Sequence, residues 1–444
     1  MTPFQIVERL QNLGYEAYFV GGYVRDSILN KKTKDIDIVT NATPEKVVAF
    51  FSDCKIKEVG KSFGVVLVDN LEVATYRKDK YSGLSDKNVE IEFSNSLRED
   101  IERRDLTINS IAMNPITGEI IDYCNGINDL KEKIIRFVGK PEDRIFEDPN
   151  RIIRACRFKA LINGHFDAST YKALKNNSFL VKHISSERIR KEILKTMSTV
   201  PKASNFFVAC FKIGILKYIF KSLEDCMGIS QNKFHSEDVF THSMVAGDSI
   251  SCKHPLLKLA TYLHDIGKPQ AKEWNTEKQD FQFLRHEDIG VDITKKELTN
   301  LSFSNSEFSF ITDLIENHMS FQLSTPKATR KTLRRINGKM TICEMIRFKI
   351  ADRKAKFLNG VNTPLEIFMI KDMIGKIEDV LIKKEPFNLK DLAIDGFDVM
   401  NTLKIKPGPI VGVMLERLFE KVIEDPELNT KEKLLDLLLD EIPY

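Results

Sequence analysis

The chain has 444 residues, 42% hydrophobic and 30% charged, with a formal net charge of +3. That length suits about three domains of ~150 residues, and the composition is that of an ordinary globular chain, which sets aside disordered and collagen-like classes. No apolar run approaches the ~20 residues of a membrane span, the small net charge confines any nucleic-acid binding to a local patch, and seven cysteines without a C-x-x-C spacing read as free thiols of a reducing cytoplasm.

Residues 1–17 read as an amphipathic helix with acidic Glu8, not a secretion signal. Tyr18–Thr40, YFVGGYVRDSILNKKTKDIDIVT, reads as strand, glycine turn, helix, loop and strand. Gly21 and Gly22 allow a tight turn and close approach of a ligand. The helix they open would offer unpaired N–H groups to phosphate, with Arg25 in reach of the same anion. Asp35 and Asp37 sit at i and i+2, so a strand would project both carboxylates from one face, with Ile36 and Ile38 packing behind. Two crowded carboxylates need a cation, and Mg²⁺ held together with substrate phosphates is the natural occupant.

Lys57–Val68 predicts two strands joined by a turn containing Gly60 and Gly64, and Leu71–Arg77 continues the sheet. Lys78–Asn88 is turn-rich and polar and is expected to be a mobile loop, followed by a strand over Val89–Phe93. In EDIERRDLTINSIA, residues 99–112, a helix would bring Asp105 and Asn109 together at i, i+4 behind Arg103 and Arg104. Ile116–Gly126 reads as a hairpin. EDPNRIIRACRF, residues 147–158, predicts one helix with Pro149 in its first turn. At 100° per residue, Glu147, Asp148, Arg151 and Arg154 share a sector of about 120° opposite Ile152, Ile153 and Cys156. A carboxylate that accepts from an exocyclic amino group, beside an arginine that donates to a ring nitrogen, fits cytosine and adenine and mismatches uracil and guanine. Each unmade buried hydrogen bond costs ~1–3 kcal/mol.

Residues 201–235 read as a helical connector. Beyond it lie His242, the pair His264–Asp265 after the apolar helix LLKLATYL, His286 in RHEDIG, His318 in LIENHMS and Asp352 in IADRKA. Imidazoles and carboxylates on separate apolar helices suit Mn, Fe, Ni, Co or Mg better than a closed zinc site. The last stretch carries Lys406-Pro407-Gly408-Pro409 as a turn between helices, with Gly412 expected to allow close backbone approach.

GG-x-x-R-D followed by D-x-D closely resembles the head of the class II tRNA nucleotidyltransferases, the CCA-adding enzymes and bacterial poly(A) polymerases. The resemblance implies an α+β fold: a polymerase-beta-like head of mixed α/β structure with an antiparallel or mixed sheet, then all-α neck, HD and tail domains. The expected divisions are 1–135, 136–230, 231–370 and 371–444. RRDLTIN resembles the family element in which the arginine contacts triphosphate and the aspartate serves ribose recognition, carried here by Arg104 and Asp105, with Arg103 less firmly. Glu147, Asp148 and Arg151 match the E-D-x-x-R templating motif, with Arg154 and Arg157 as its flanking arginines and SSERIRKEIL, residues 185–194, as a supporting helix. The loop at 78–88 lies where the family carries a flexible element linked to switching between C and A addition; here it has lysines and no arginine. The histidine set resembles the HD phosphohydrolases, and the tail resembles the L-K-P-G-P-x-[IV]-G segment of CCA-adding enzymes, whose basic residues suit phosphate contacts that position RNA.

The resemblance implies addition of CCA from CTP and ATP to the 3′ end of tRNA, with Asp35 and Asp37 holding two Mg²⁺. Partial CC- or A-addition and poly(A) synthesis remain open alternatives, as does an HD phosphohydrolase or RNA-binding protein with an inactive head. A divalent Mn, Ni or Co ion is expected in the HD domain, with small phosphoesters such as 2′,3′-cyclic phosphates as substrates. Oligomeric state is left open.

Overall fold

Thr2 accepts from the Gln5 backbone and Gln5 caps back, which starts α1 (Pro3–Asn12). Its buried Ile6, Val7 and Leu10 lie against a sheet. The structure, a computed structural model, describes residues 1–31, 33, 35–58, 64–81, 89–232, 237–319, 323, 325–336, 340–356 and 364–440; the side chains of 364–367, 369 and 370 are outside that description. The chain divides into two compact units, Met1–Lys221 and Ser222–Tyr444.

In the first unit, β1 (Ala17–Val20), α2 (Gly22–Ile28), β2 (Asp37–Thr40), α3 (Pro44–Phe50), β3 (Ile56–Lys57), β4 (Val65–Val68), β5 (Leu71–Thr75), β6 (Arg77–Tyr81) and β7 (Val89–Phe93) follow α1. Then come α4 (Leu97–Glu102), a 3₁₀ turn at Thr107–Asn109, β8 (Ala112–Met113), β9 (Ile120–Ile121) and α5 (Gly126–Lys131). The seven-stranded sheet has the order β3-β4-β5-β2-β1-β8-β9. Only β2 and β5 pair in parallel, so the sheet is mixed. Alternation along the strands sends Phe19 and Ile38 into the core beneath α1, and Val20 and Val39 into a second cluster with Tyr76, Leu97 and Ile101. Asp37 shares the Val39 face.

The expected loop at 78–88 is corrected over its first half. Lys78–Tyr81 belongs to β6, which pairs antiparallel with β7 from Arg77↔Phe93 to Tyr81↔Val89; four of its five residues are charged, so no apolar period marked the strand. Residues 82–88, and Gly60 with its neighbours 59–63, lie outside the described residues. The hairpin expected at 116–126 lies earlier: β8 at Ala112–Met113 pairs with β9 at Ile120–Ile121, and Gly126 already opens α5.

The first unit continues with β10 (Ile134–Ile135), α6 (Pro141–Glu147), α7 (Asn150–Leu161), β11 (His165–Phe166), α8 (Ala168–Asn176), α9 (Ser186–Thr199), α10 (Ser204–Lys212) and α11 (Leu216–Ile219), and α12 (Lys221–Asp225) begins at the division. The single helix expected over 147–158 is two. Asp148 has φ −148° and ψ 100°, and Pro149 caps α7 instead of occupying its first turn. A residue before proline is pushed out of the α region, which breaks the helix there.

The second unit holds α13 (Val239–Asp248), α14 (Pro255–Leu263), α15 (Lys268–Ala271), β12 (Lys272–Asn275), β13 (Asp280–Phe283), α16 (His286–Asn300), α17 (Asn305–Asn317), α18 (Pro326–Ile336), α19 (Ile342–Lys356), α20 (Pro364–Ile382), α21 (Gly396–Leu403), α22 (Pro409–Glu424) and α23 (Lys431–Asp440). The last three share a core of Val399, Leu418, Phe419, Val422, Leu434 and Leu438. The turn at 406–409 does separate α21 from α22, but Gly412 approaches nothing: a Cβ there would meet no atom within 4 Å. Among the described residues, no helix is long and apolar enough to cross a membrane.

Candidate functional site

Gly21 ends β1 with φ 70°, a conformation that favours glycine. A Cβ there would stand 3.5 Å from an Arg104 guanidinium nitrogen and 3.6 Å from Asp37 Oδ2, so the turn brings backbone, cation and carboxylate together. They line one cavity of about 1000 Å³ within the first unit. Ten lysines and arginines and six aspartates line it. The excess of cations suits a polyanion such as a triphosphate.

Asp35 and Asp37 both face this cavity. Asp35 is not on the strand as expected. β2 begins at Asp37, opposite Val20, and β1 has already turned away at Gly21, so Asp35 has no ladder partner. Burial pushes the Asp37 carboxyl above its ordinary range, and the neighbouring Asp35 charge adds to that rise. A carboxylate pair under that strain is relieved by a cation.

Three of the motifs are tied by one chain of hydrogen bonds. Arg25 donates to Asn109 Oδ1 at 2.7 Å, Asn109 donates to Asp105 Oδ1 at 3.3 Å, and Arg154 Nε donates to Asp105 Oδ2 at 2.7 Å. Asp105 and Asn109 meet as expected, through a 3₁₀ turn and not an α-helix. Burial opposes ionisation of Asp105, but Arg154 and Arg151 outweigh it and hold its carboxyl down at about 2.

The broken helix aims the base-reading candidates separately. Asp148 accepts from the Asn150 backbone at 3.0 Å and from Arg188 at 2.8 Å. Arg151 donates to Glu147 at 2.5 Å, to the Arg144 and Arg103 carbonyls at 3.2 and 3.1 Å, and to the Tyr81 hydroxyl at 3.4 Å. Arg157 donates to the buried Glu192 at 2.6 Å and lies over the Phe158 ring, its guanidinium carbon 4.2 Å from the centroid.

The second unit carries a different cluster. His242 lies on α13, His264 ends α14, His286 starts α16, His318 ends α17 and Asp352 lies on α19. Gly267 makes the assembly close: a Cβ there would sit 2.0 Å from the His286 carbonyl oxygen and 2.6 Å from the Gly290 nitrogen. Asp265 stands at the centre. Its Oδ2 is 3.1 Å from His264 Nε2 and 3.6 Å from His242 Nε2, while its Oδ1 is 3.3 Å from His286 Nε2 and 3.6 Å from His318 Nε2. Asp352 Oδ1 is 3.2 Å from His242 Nε2 and 3.8 Å from His264 Nε2. His242, His264 and Asp265, and again Asp265, His286 and His318, each present ligand atoms within 4.8 Å of one another. Asp265 thus belongs to two groups able to hold a divalent metal.

The imidazoles are set for that role. Nδ1 of His264, His286 and His318 lies 2.7, 2.8 and 2.6 Å from the carbonyls of Thr261, Phe283 and Ile315. A carbonyl only accepts, so each Nδ1 donates to it, which fixes the ring and turns each Nε2 into the cluster. Burial pushes His318 down to about 4, so it is neutral near pH 7. Burial opposes the charge on Asp265, yet His264 and Lys268 hold that carboxyl well below its ordinary range.

Comparison with known proteins places these two sites. The family described as "Poly A polymerase head domain" matches residues 17–136, "Probable RNA and SrmB- binding site of polymerase A" matches 165–227, and "HD domain" matches 234–356. The CCA-adding enzyme of Ligilactobacillus salivarius is 27% identical, aligned over 97% of this chain and 94% of that protein. That of Staphylococcus epidermidis is 28% identical over 97% and 95%. The solved Bacillus stearothermophilus CCA-adding enzyme in complex with CTP superposes with a TM-score of 0.70 at 25% identity, over 99% of this chain and 98% of that one. Over nearly its whole length the chain is similar to CCA-adding enzymes, with a poly(A) polymerase head followed by an HD domain.

Of the candidates in the first unit, Gly21, Gly22, Arg25, Asp35, Asp37, Arg104, Asp105, Asn109, Asp148, Arg151, Arg154 and Arg157 all line the cavity; Glu147 does not, and acts on Arg151 from behind. The six HD candidates converge. Residues that sequence reasoning missed are mostly the ones that hold others. Buried Asp100 binds Arg103 at 2.7 Å and Arg104 at 3.1 Å, and its i, i+3 and i, i+4 spacing was the available signal. Asp79 binds Arg103 at 3.2 Å from the hairpin taken for a loop. Tyr81 completes the head site and Lys268, 2.6 Å from Asp265 Oδ2, the HD cluster, while Arg188 and Glu192 come from the helix expected at 185–194 to support the head site and bind Asp148 and Arg157.

Proposed function

We propose that this chain adds CCA, from CTP and ATP, to the 3′ end of tRNA without a nucleic-acid template. The observation that carries this reading is the single cavity that gathers Asp35 and Asp37, the arginines and Asp148 in a chain aligned end to end with CCA-adding enzymes. Asp35 and Asp37 fit a pair of Mg²⁺ ions, since burial and mutual repulsion leave Asp37 in need of a cation. Bound there, Mg²⁺ would supply Lewis-acid activation of the 3′-hydroxyl and stabilisation of the leaving pyrophosphate. Arg104, close to the Gly21 turn, contacts triphosphate, and Asp105 with Asn109 faces the ribose. Asp148 accepts from the exocyclic amino group of C or A and Arg151 donates to the ring nitrogen. Asp148 lies against Arg188 and Arg151 against Tyr81, so base reading exchanges those partners for the nucleotide. Basic residues of the tail at 371–444, Lys404 and Lys406 beside the proline turn among them, contact tRNA phosphates in this reading, and the divisions at 135, 230 and 370 belong to it. Seven unpaired cysteines fit a cytoplasmic setting.

A second activity is favoured by the locked imidazoles of the HD cluster. His242, His264, Asp265 and Asp352 would hold one divalent Mn, Ni or Co ion, and His286 and His318 with Asp265 a second position. Small phosphoesters, 2′,3′-cyclic phosphates among them, are the substrates of this reading. The test incubates the protein with tRNA lacking its 3′ end, CTP, ATP and Mg²⁺, sequences the products, and assays phosphoesterase activity separately with Mn, Ni or Co. CC, A or poly(A) ends would select the corresponding relative of the CCA reading, and no phosphoesterase activity would leave the HD unit as scaffold.

A further inference from the structure

Between the His264–Asp265 pair and His286 stands the hairpin β12–β13, to which neither reading gives work. Its register pairs Lys272 with Phe283 and Trp274 with Phe281, so these four side chains share one face. Glu273, Asn275, Asp280 and Gln282 take the other, where Asn275 donates to Gln282 at 2.9 Å. The acids are thus kept off the aromatic face, and its one charged member is a cation. Trp274 and Phe281 meet edge to face with ring centroids 5.0 Å apart, and Lys272 Nζ lies 4.0 Å from the Phe281 centroid.

This face starts at the metal cluster. The Phe283 carbonyl accepts from His286 Nδ1 at 2.8 Å, and the Phe283 ring lies 5.6 Å from Lys268 Nζ, which itself bonds Asp265 Oδ2 at 2.6 Å. From Phe283 to Phe281 the strand advances ~7 Å outward. There the indole of Trp274 remains 51% exposed, with Leu284 64% exposed beside the inner end. An indole left in water next to a lysine gains little from packing, and its π-face is available to a ligand.

We infer that this face is a stacking platform for the nucleobase of the phosphoester processed at the HD cluster. The inference rests on the hydrolase reading and narrows its substrates to those carrying a base: a free nucleotide or the 3′ terminus of a single-stranded RNA. Every base has a π-face, so such a platform tolerates sequence. Lys272 adds a cation beside the stack, where it favours both the ring and the phosphate chain.

The chain has one tryptophan, so its fluorescence reports this place alone. The full-length protein, kept in chelator to prevent turnover, is titrated with 3′-AMP, a short oligoadenylate and ribose 5-phosphate. The platform predicts saturable quenching by the two base-bearing ligands, none by ribose 5-phosphate, and the same quenching in Asp148→Ala/Arg151→Ala, whose substitutions lie in the other unit. Tighter quenching by the oligoadenylate assigns RNA ends, and tighter quenching by 3′-AMP assigns free nucleotides. With Mn²⁺, Trp274→Ala raises KM for base-bearing phosphoesters roughly tenfold, leaves that for ribose 5-phosphate unchanged, and Trp274→Phe restores most of the loss. Absence of quenching, equal quenching by ribose 5-phosphate, or an unchanged KM in Trp274→Ala overturns the platform. Quenching without hydrolysis under any metal upholds the platform and removes the hydrolase reading instead.

Discussion

The head cavity and the HD cluster both bring aspartates together, and they treat them oppositely. In the head, burial and the charge of Asp35 raise Asp37. In the HD unit the carboxyls of Asp265 and Asp352 are held well below their ordinary range against the opposing effect of burial, Asp265 by His264 and Lys268 and Asp352 by His242 and Lys356. The head surrounds its pair with arginines that are themselves tied to other carboxylates, in a cavity of about 1000 Å³ open to a large polyanion. The HD cluster is compact, each of its two groups bringing candidate ligand atoms within 4.8 Å of one another. The head offers an excess of cations to an incoming polyanion; the HD cluster already pairs Asp265 with Lys268 and Asp352 with Lys356.

If the two sites are separate in chemistry as well as in structure, their variants separate too. Asp35→Ala or Asp37→Ala should lower nucleotide incorporation about a thousandfold or more, the several kcal/mol a catalytic metal supplies, with tRNA binding retained and phosphoesterase activity intact. His264→Ala/Asp265→Ala should do the reverse, abolishing metal-dependent phosphoester hydrolysis while CTP and ATP incorporation continue. Paired incorporation and phosphatase assays check this, and near-normal incorporation by both head variants would remove the two-metal assignment.

The next largest effect concerns selectivity within the head. Asp148→Ala together with Arg151→Ala should erode discrimination against UTP and GTP by roughly ten- to a hundredfold, from hydrogen bonds of ~1–3 kcal/mol each. Single-turnover competition between CTP and UTP measures it. An active double variant as selective as the parent would move base reading elsewhere, with Arg188 the first place to look.

These predictions rest on residues that differ in how openly the sequence displayed them. The convergence of Asp35 with Asp37 and the glycine turn was legible because it lies in one short motif of particular residue types at fixed spacing, and that of the HD histidines and aspartates because each sits at the end of or within a helix. Strands β1, β4 and β5 were legible as short apolar segments bounded by turns, and β7 from its alternation. What escaped has physical reasons. β6, RKDKY, is a nearly all-charged strand of a two-stranded hairpin, and its Asp79 and Tyr81 contact Arg103 and Arg151 across the fold. The break at Asp148–Pro149 could have been foreseen from the proline, but the i, i+3 pattern of acids and arginines imitates one helix. The helix at 185–194 was named as a support, but its partners were not: Glu192 binds Arg157 and Arg188 binds Asp148 at sequence distances that no local period reports.

A smaller effect sharpens the contrast in stability. Asp105 sits at about 2 when folded, below its ordinary 3.8, because Arg154 and Arg151 prevail over burial. A depressed carboxylate stabilises the fold above its unfolded pKa and loses that contribution as pH falls through the folded value. The shift corresponds to about 2 kcal/mol present at neutral pH and lost between roughly pH 4 and 2. Asp105→Asn should therefore lower stability at pH 7 and flatten its decline in that window, as read by denaturant titrations at several pH values. A decline as steep as the parent's would mean that another carboxylate governs it.

The central claim is tested most directly by the products of addition. The protein is given a tRNA ending at its discriminator base, with CTP, ATP and Mg²⁺, and the 3′ ends are sequenced. The account predicts ends in CCA that stop there, formed in the parent and absent in Asp37→Ala. Ends of A alone or an extended A tail, or CCA formed equally by Asp37→Ala, would contradict it.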